Sequence, residues 1–339
     1  MKKSIAQKIL RIIEFLLVTV ICLVLVLLAV IWVLEKGPSK TVTTSFCKSV
    51  RETSALRWVP NIFLTDEEIE SFKSTDTSND ETNQIDTGLI SVSSVNLNSN
   101  EPDIQIIDIS SGTCKGKLMI VKDPKRIILG TNDQFAYKAG LVLTDMVKKY
   151  NGIAGINAGG FNDENGQGDG SKPTGLVITS GELSWGSYNH DYNVVGFDKN
   201  GILIVGKMSG QQAIDIGMEW GVSFKTHDGL ASALIVNGEV QEQNLSGGVN
   251  PRTAIGQRAD GAVLMLVLDG RSINTLGATM EDVVNIMLDY GAVNAGNLDG
   301  GSSSVMVYEN EIINNCASVT GPRRIPTGFI VLEEGDSVG

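Results

Sequence analysis

The chain has 339 residues, 42% of them hydrophobic, and a formal net charge of −12. That acidity argues against nucleic acid as a partner. Neither a P-loop nor a dinucleotide-binding fingerprint is present, and Cys47, Cys114 and Cys316 lack zinc-ligand spacing.

Phe15 to Leu34 carries no charged residue, and a stretch of roughly 20 apolar residues spans a bilayer core as a helix. Residues 15–34 are therefore expected to form a transmembrane helix behind a short segment, 1–14. Lys2, Lys3, Lys8 and Arg11 precede it, opposed only by Glu14, which predicts a cytoplasmic N-terminus and an extracytoplasmic remainder. A cleaved signal peptide is the rival reading. Its apolar region is shorter and ends at a small-residue site, whereas this run ends Trp32-Val33-Leu34-Glu35-Lys36. Cys22 lies in the span. The three cysteines beyond it cannot all pair with one another. Spacing does not establish a Cys114–Cys316 bridge, so buried, unpaired thiols are the default.

Residues 35–100 read as a stalk and linker. Thr65-Asp66-Glu67-Glu68 gives an N-cap with acids in the first helical turn, and residues 71–100 are rich in Ser, Thr, Asn and Asp. Residues 101–339 are expected to fold as one domain of acceptable size. Short β-branched runs bounded by turn residues predict strands at Ile104–Ile109, Lys117–Val121, Leu176–Ile178, Val194–Phe197, Ile202–Val205, Ala233–Val236, Ala262–Leu268 and Val305–Tyr308. Helices are expected over Tyr137–Tyr150 and Thr279–Tyr290, the second opening with Thr279 and Asp282 in capping-box spacing. The expected class is α+β: a single mixed domain of many short strands and a few helices.

The candidate chemistry centres on Asn297-Leu298-Asp299-Gly300-Gly301-Ser302, after the apolar run Ala292–Ala295. A carboxylate at a strand end, followed by glycines and hydroxyls, suits an oxygen-rich ligand, although Asp-Gly is also ordinary turn chemistry. An internal echo supports the former. Asn157-Ala158-Gly159-Gly160-Phe161 likewise follows a helix, a glycine stop and an apolar strand, so both turns are expected to line one pocket. Arg252 and Thr253, Asp269 and Arg271, Gly277–Glu281, and Arg323–Gly328 add further clusters. Arginines grip phosphate oxygens bidentately, and the helix start at Thr279 offers free N–H groups to an anion.

Taken in order, Asn157–Phe161, Pro251–Gly256, Asp269–Arg271, Gly277–Glu281, Asn297–Ser302 and Arg324–Gly328 resemble the phosphodiester glycosidase family across residues 103–333. The resemblance implies hydrolysis of the bond between an N-acetylglucosamine-like sugar's anomeric carbon and a phosphodiester, and the outward-facing anchored domain points to cell-envelope glycan or exopolysaccharide as its source. Its leaving group is a phosphate monoester with a second pKa of about 6, so departure needs little acid assistance. A carboxylate must still act as nucleophile or base, with Asp299 first, then Asp269 and Glu281. Substrate binding is expected from Asn157, Gly159, Gly160, Arg252, Thr253, Arg271, Thr279, Asn297, Gly300, Gly301, Ser302 and Arg324. No cofactor is required. Asp163, Asn165, Gln167, Gly168 and Asp169 match the first half of an EF-hand loop, but Thr174 stands where its closing glutamate belongs. Calcium bound in another geometry by Asp163, Asn165 and Asp169 is the alternative to a plain polar loop.

A serine hydrolase would have to use His190 or His227, the only histidines, and neither lies in these motifs. The remaining alternative is a non-catalytic glycan-binding or surface-assembly protein on the same fold.

Overall fold

A computed structural model describes residues 2–53, 55–72, 85–92, 102–112, 114–163, 168–224, 232–242, 245, 247–272, 275–318 and 321–333. Helix α1 (Lys2–Lys36) contains the apolar segment Gln7–Lys36, long and apolar enough to cross a membrane. Behind it lies a mixed domain of many short strands and few helices, as expected for α+β.

Three antiparallel sheets build the domain. The largest contains β1 (Ile104–Ser111), β2 (Cys114–Val121), β13 (Val263–Leu268), β12 (Arg252–Arg258), β14 (Ala292–Asn297), β10 (Ala233–Val236) and β11 (Glu239–Val240), in that spatial order. The second orders β16 (Glu311–Ile312), β15 (Met306–Tyr308), β4 (Gly152–Asn157), β17 (Thr327–Leu332) and β3 (Ile127–Thr131). The third orders β6 (Glu182–Trp185), β5 (Val177–Thr179), β9 (Met218–Ser223), β7 (Asp191–Asp198) and β8 (Leu203–Ser209).

The sheets share one central core, and each turns its other face to a helix. The period of two explains how. Along β13, Val263, Met265 and Val267 enter the central core, while Leu264, Leu266 and Leu268 face α6 (Met280–Asp289). Along β17, Phe329 and Val331 point inward, and Ile330 and Leu332 pack on the side of α4 (Leu143–Lys149). Strands buried on both faces read as unbroken apolar runs, which is what made β13 visible in the sequence. Helix α5 (Gly210–Asp215) covers the third sheet through Ala213.

The eight expected strand runs all fall on strands. Helix α6 has the expected cap: the Thr279 hydroxyl accepts from Asp282 N, and the Asp282 carboxylate accepts from Thr279 N at 2.8 Å. Helix α4 is shorter than Tyr137–Tyr150. Ala136 has a left-handed φ of 65°, and Leu141 bridges to Ile325, so the chain is held in turn and extended geometry until Val142.

The stalk expected over 35–100 is packed where it is described. Helix α2 (Lys40–Arg51) and α3 (Asp66–Glu70) enclose a small core of Cys47, Leu64 and Ile69, and Lys36 pairs with Glu68 at 2.6 Å. Ile90 is buried, and Asp86 N donates to Asn237 Oδ1 at 2.8 Å. The rest of the Ser/Thr-rich stretch, 73–84 and 93–100, lies outside the described residues. All four cysteines are free thiols, and Cys47 and Cys114 are buried.

Candidate active site

Strands β4 and β14 deliver the two echoing turns to the same place. Asp299 N donates to the Ala158 carbonyl at 3.0 Å, and Asn157 Nδ2 donates to the Asp299 carbonyl at 2.6 Å. Asn157 is buried and fully engaged, because its Oδ1 accepts from Thr253 Oγ1 at 2.9 Å and from Val305 N at 3.0 Å. Asn157 and Thr253 were expected to bind substrate; the structure makes Asn157 the lock between the turns, with Thr253 bonded to it. Leu298, the residue before Asp299, is fully buried in the central core.

The two glycines after Asp299 have separate reasons. A Cβ at Gly300 would sit 2.8 Å from the Pro251 carbonyl, and Gly301 has a left-handed φ of 63°. The chain therefore turns sharply into Ser302 and Ser303. The Ser303 hydroxyl bonds the Asp299 carboxylate, yet that carboxyl is pushed up to about 7, chiefly by burial. The Asp163 carboxylate raises it further, while Ser303, Arg323 and Gly300 N oppose the shift.

Arg323 ties the two turn segments together. It forms a two-pronged pair with Asp163, at 2.7 Å and 3.2 Å, and donates to Ser302 Oγ at 3.0 Å. Its guanidinium lies over the Phe161 ring, 5.4 Å from the centroid. The sequence reading selected Arg324, which is exposed and bonds the Gly140 carbonyl. Two-residue alternation was the available signal. Thr327 bonds Gly159 N at 3.0 Å, and counting back by twos from it reaches Arg323.

Arg271 occupies the other flank of the Gly300–Gly301 turn. Its guanidinium would lie 3.4 Å from a Cβ at Gly301, and Nη2 donates to Thr53 Oγ1 at 2.7 Å and Asn250 Oδ1 at 2.9 Å. Arg252 has no free edge for phosphate. It is buried, pairs with Glu52 at 2.9 Å and donates to the carbonyls of Ala278 and Gly248.

The other expected catalytic carboxylates stand apart from this electrostatic group. Asp269 accepts from Asn314 Nδ2 at 3.2 Å and Asn315 N at 2.9 Å, which fastens the turn after β16; burial raises its carboxyl. Glu281 is exposed on the first turn of α6. Thr279 is the helix cap. Asn297 is buried, and its Oδ1 has no hydrogen-bond partner among the described residues.

Among the described residues, no group of three or more His, Cys, Asp or Glu could hold a metal ion. Asp163 is engaged by Arg323 and by Gly168 N, and Asp169 accepts from Ser171 N. Asn165, Gln167 and His227 lie outside the described residues. His190 is exposed and stacks edge-on with Tyr192.

Residues 66 long, a fifth of the chain, are 46% identical to an uncharacterized SPbeta prophage-derived protein of Bacillus subtilis, YomE, and span a tenth of that relative's length. The fold is shared with the zebrafish N-acetylglucosamine-1-phosphodiester α-N-acetylglucosaminidase catalytic domain, solved auto-inhibited by pro-peptide. The TM-score is 0.56 at 21% identity, covering 70% of this chain and 85% of that one. Residues 150–332, more than half of the chain and containing both turns, match the family model for phosphodiester glycosidase. The chain belongs to the phosphodiester glycosidase family.

Proposed function

We propose that this chain is a membrane-anchored hydrolase that releases a sugar, N-acetylglucosamine or a close analogue, from a sugar-1-phosphodiester in envelope glycan. The observation that carries this reading is Asp299. A carboxylate with a raised pKa is locked between two glycine turns and flanked by Arg323 and Arg271.

Asp299 acts as a carboxylate, on the anomeric carbon or on the water that attacks it. A pKa near 7 leaves it about half ionised at neutral pH and a stronger base than an ordinary aspartate. Arg323 and Arg271 receive the charge that gathers on the departing phosphate monoester. Asp163 holds the Arg323 fork in place. Ser302 is bonded to Arg323 on the same side. No step is assigned to a metal.

The four basic residues before the apolar helix support a cytoplasmic N-terminus and an extracytoplasmic domain. The test is sugar release by the full chain from an α-N-acetylglucosamine-1-phosphodiester, wild type beside Asp299→Asn, with and without a chelator. Release that falls by about 10²–10⁴-fold in the variant supports the assignment. Unchanged turnover refutes the role of Asp299. Binding of the glycan without cleavage by wild type favours a glycan-binding protein instead. Loss of rate in the chelator arm would bring calcium back.

A further inference from the structure

The segment that leaves the membrane helix does not hang free; it is bonded onto the rim of the site. Glu52, directly after α2, accepts from Gly248 N at 2.9 Å, Asn250 Nδ2 at 2.7 Å and Arg252 Nη1 at 2.9 Å. Ser49 Oγ accepts from Val249 N at 2.9 Å, and Thr53 Oγ1 accepts from Arg271. A Cβ on Gly248 would collide with the Ser49 backbone, so the contact is built for close approach. Arg271 in turn abuts Gly301, beside Asp299.

This clamp lies a short way along the chain from the end of the apolar helix. Helix α2 packs back against α1, and Cys47 is buried there. From Cys47 to Glu52 the chain advances only about 8 Å at helical rise. The Lys36–Glu68 pair and the Cys47, Leu64 and Ile69 core brace that corner.

Two further features of the same segment suit a lipid surface. Leu56 and Trp58 are 48% and 60% exposed just beyond Thr53, and an outward Trp beside a spanning helix belongs at the head-group level. From Lys40 to Arg57, Lys40, Lys48, Arg51 and Arg57 outnumber Glu52, while the acids Asp66, Glu67, Glu68 and Glu70 gather on α3, where Glu68 pairs with Lys36. Local basic charge next to a bilayer is attracted to anionic head groups.

We propose that the enzyme works at the membrane surface on a sugar-1-phosphodiester carried by a lipid, with the Ser49–Thr53 clamp holding the site at head-group height. This rests on the sugar-1-phosphodiester reading above and adds the carrier.

The experiment uses the full chain in phosphatidylcholine–phosphatidylglycerol vesicles. It compares α-N-acetylglucosamine-1-phosphate esterified to methanol with the same head group on a long-chain alcohol in the bilayer. A flexible spacer of about 20 Gly/Ser residues between Gly37 and Pro38 lifts the domain and leaves the Glu52 clamp intact. Expected is a fall of about tenfold or more in kcat/KM on the lipid-borne ester, with the methyl ester cleaved as before. An unchanged ratio between the two substrates overturns the inference. Quenching by brominated lipids judges it independently of turnover: a Trp58→Phe variant should lose part of the quenching seen in wild type. No difference between them overturns the membrane placement, whereas cleavage of neither ester, with Trp58 quenched, faults the catalytic assignment alone.

Discussion

Substituting Asp299 by Asn tests the electrostatics of the site while nearly preserving its shape. The Asp299 carboxyl lies at about 7, against 3.8 for an ordinary aspartate. Each pKa unit is about 1.4 kcal/mol of preference for the neutral form. Discounted for the part of the side chain that meets solvent, the ionised group costs about 2–4 kcal/mol in the folded protein. The sign follows from proton linkage. Below about pH 4 both folded and unfolded chains hold the proton. Between about pH 4 and pH 7 the folded chain binds it more tightly, so stability from this group is lost as pH rises through about 7. Asn is neutral throughout. The stability of Asp299→Asn relative to wild type should therefore climb by about 2–4 kcal/mol between pH 4 and pH 8, seen as a widening gap in Tm of the detergent-solubilised full chains. A gap of the same size at both pH values would refute the raised pKa. A variant that gains stability while losing turnover would show a catalytic group held at the expense of the fold.

Three other perturbations follow from the same contacts. Turnover should rise with pH along a limb centred near 7, because the proposed role needs Asp299 ionised; a rate that falls through that range would make Asp299 an acid instead. Arg323→Met removes a charge that lowers the Asp299 pKa, so the limb should move to higher pH while kcat falls by about 10²–10³-fold; an unmoved limb would separate Arg323 from Asp299. Glu52→Ala leaves the Arg252 guanidinium buried without its partner, in a pair whose side chains are only 6% and 10% exposed. It should cost about 3–5 kcal/mol in a denaturant titration, with no gain in rate on a soluble substrate. A faster enzyme would instead identify the Ser49–Thr53 segment as a plug.

The parts of this molecule that were legible in sequence are those governed by neighbours in the chain. The run of β13 reads as a strand because both its faces are buried, and the Thr279–Asp282 box marks the start of α6 because capping spans one helical turn. The pairing of the Asn157 and Asp299 turns could be inferred because the chain writes the same helix–strand–turn order twice. What escaped was set by distant partners. Arg252 looked like a phosphate ligand until Glu52, two hundred positions earlier in rough terms, met it. Thr279 was expected to face substrate, yet its hydroxyl closes its own helix. Arg323 and Arg324 differ only in which side of an extended segment each occupies, and composition does not record that.

The lock between Asn157 and Asp299 joins residues separated by 142 positions. Contacts of such long range form late, since the loop between them must close first. Neither turn has its final shape without the other, so a half-made chain emerging from synthesis carries no half-made hydrolase. On the proposed assignment, the site is complete only with β17 in place against β4. The order of assembly is then itself a safeguard.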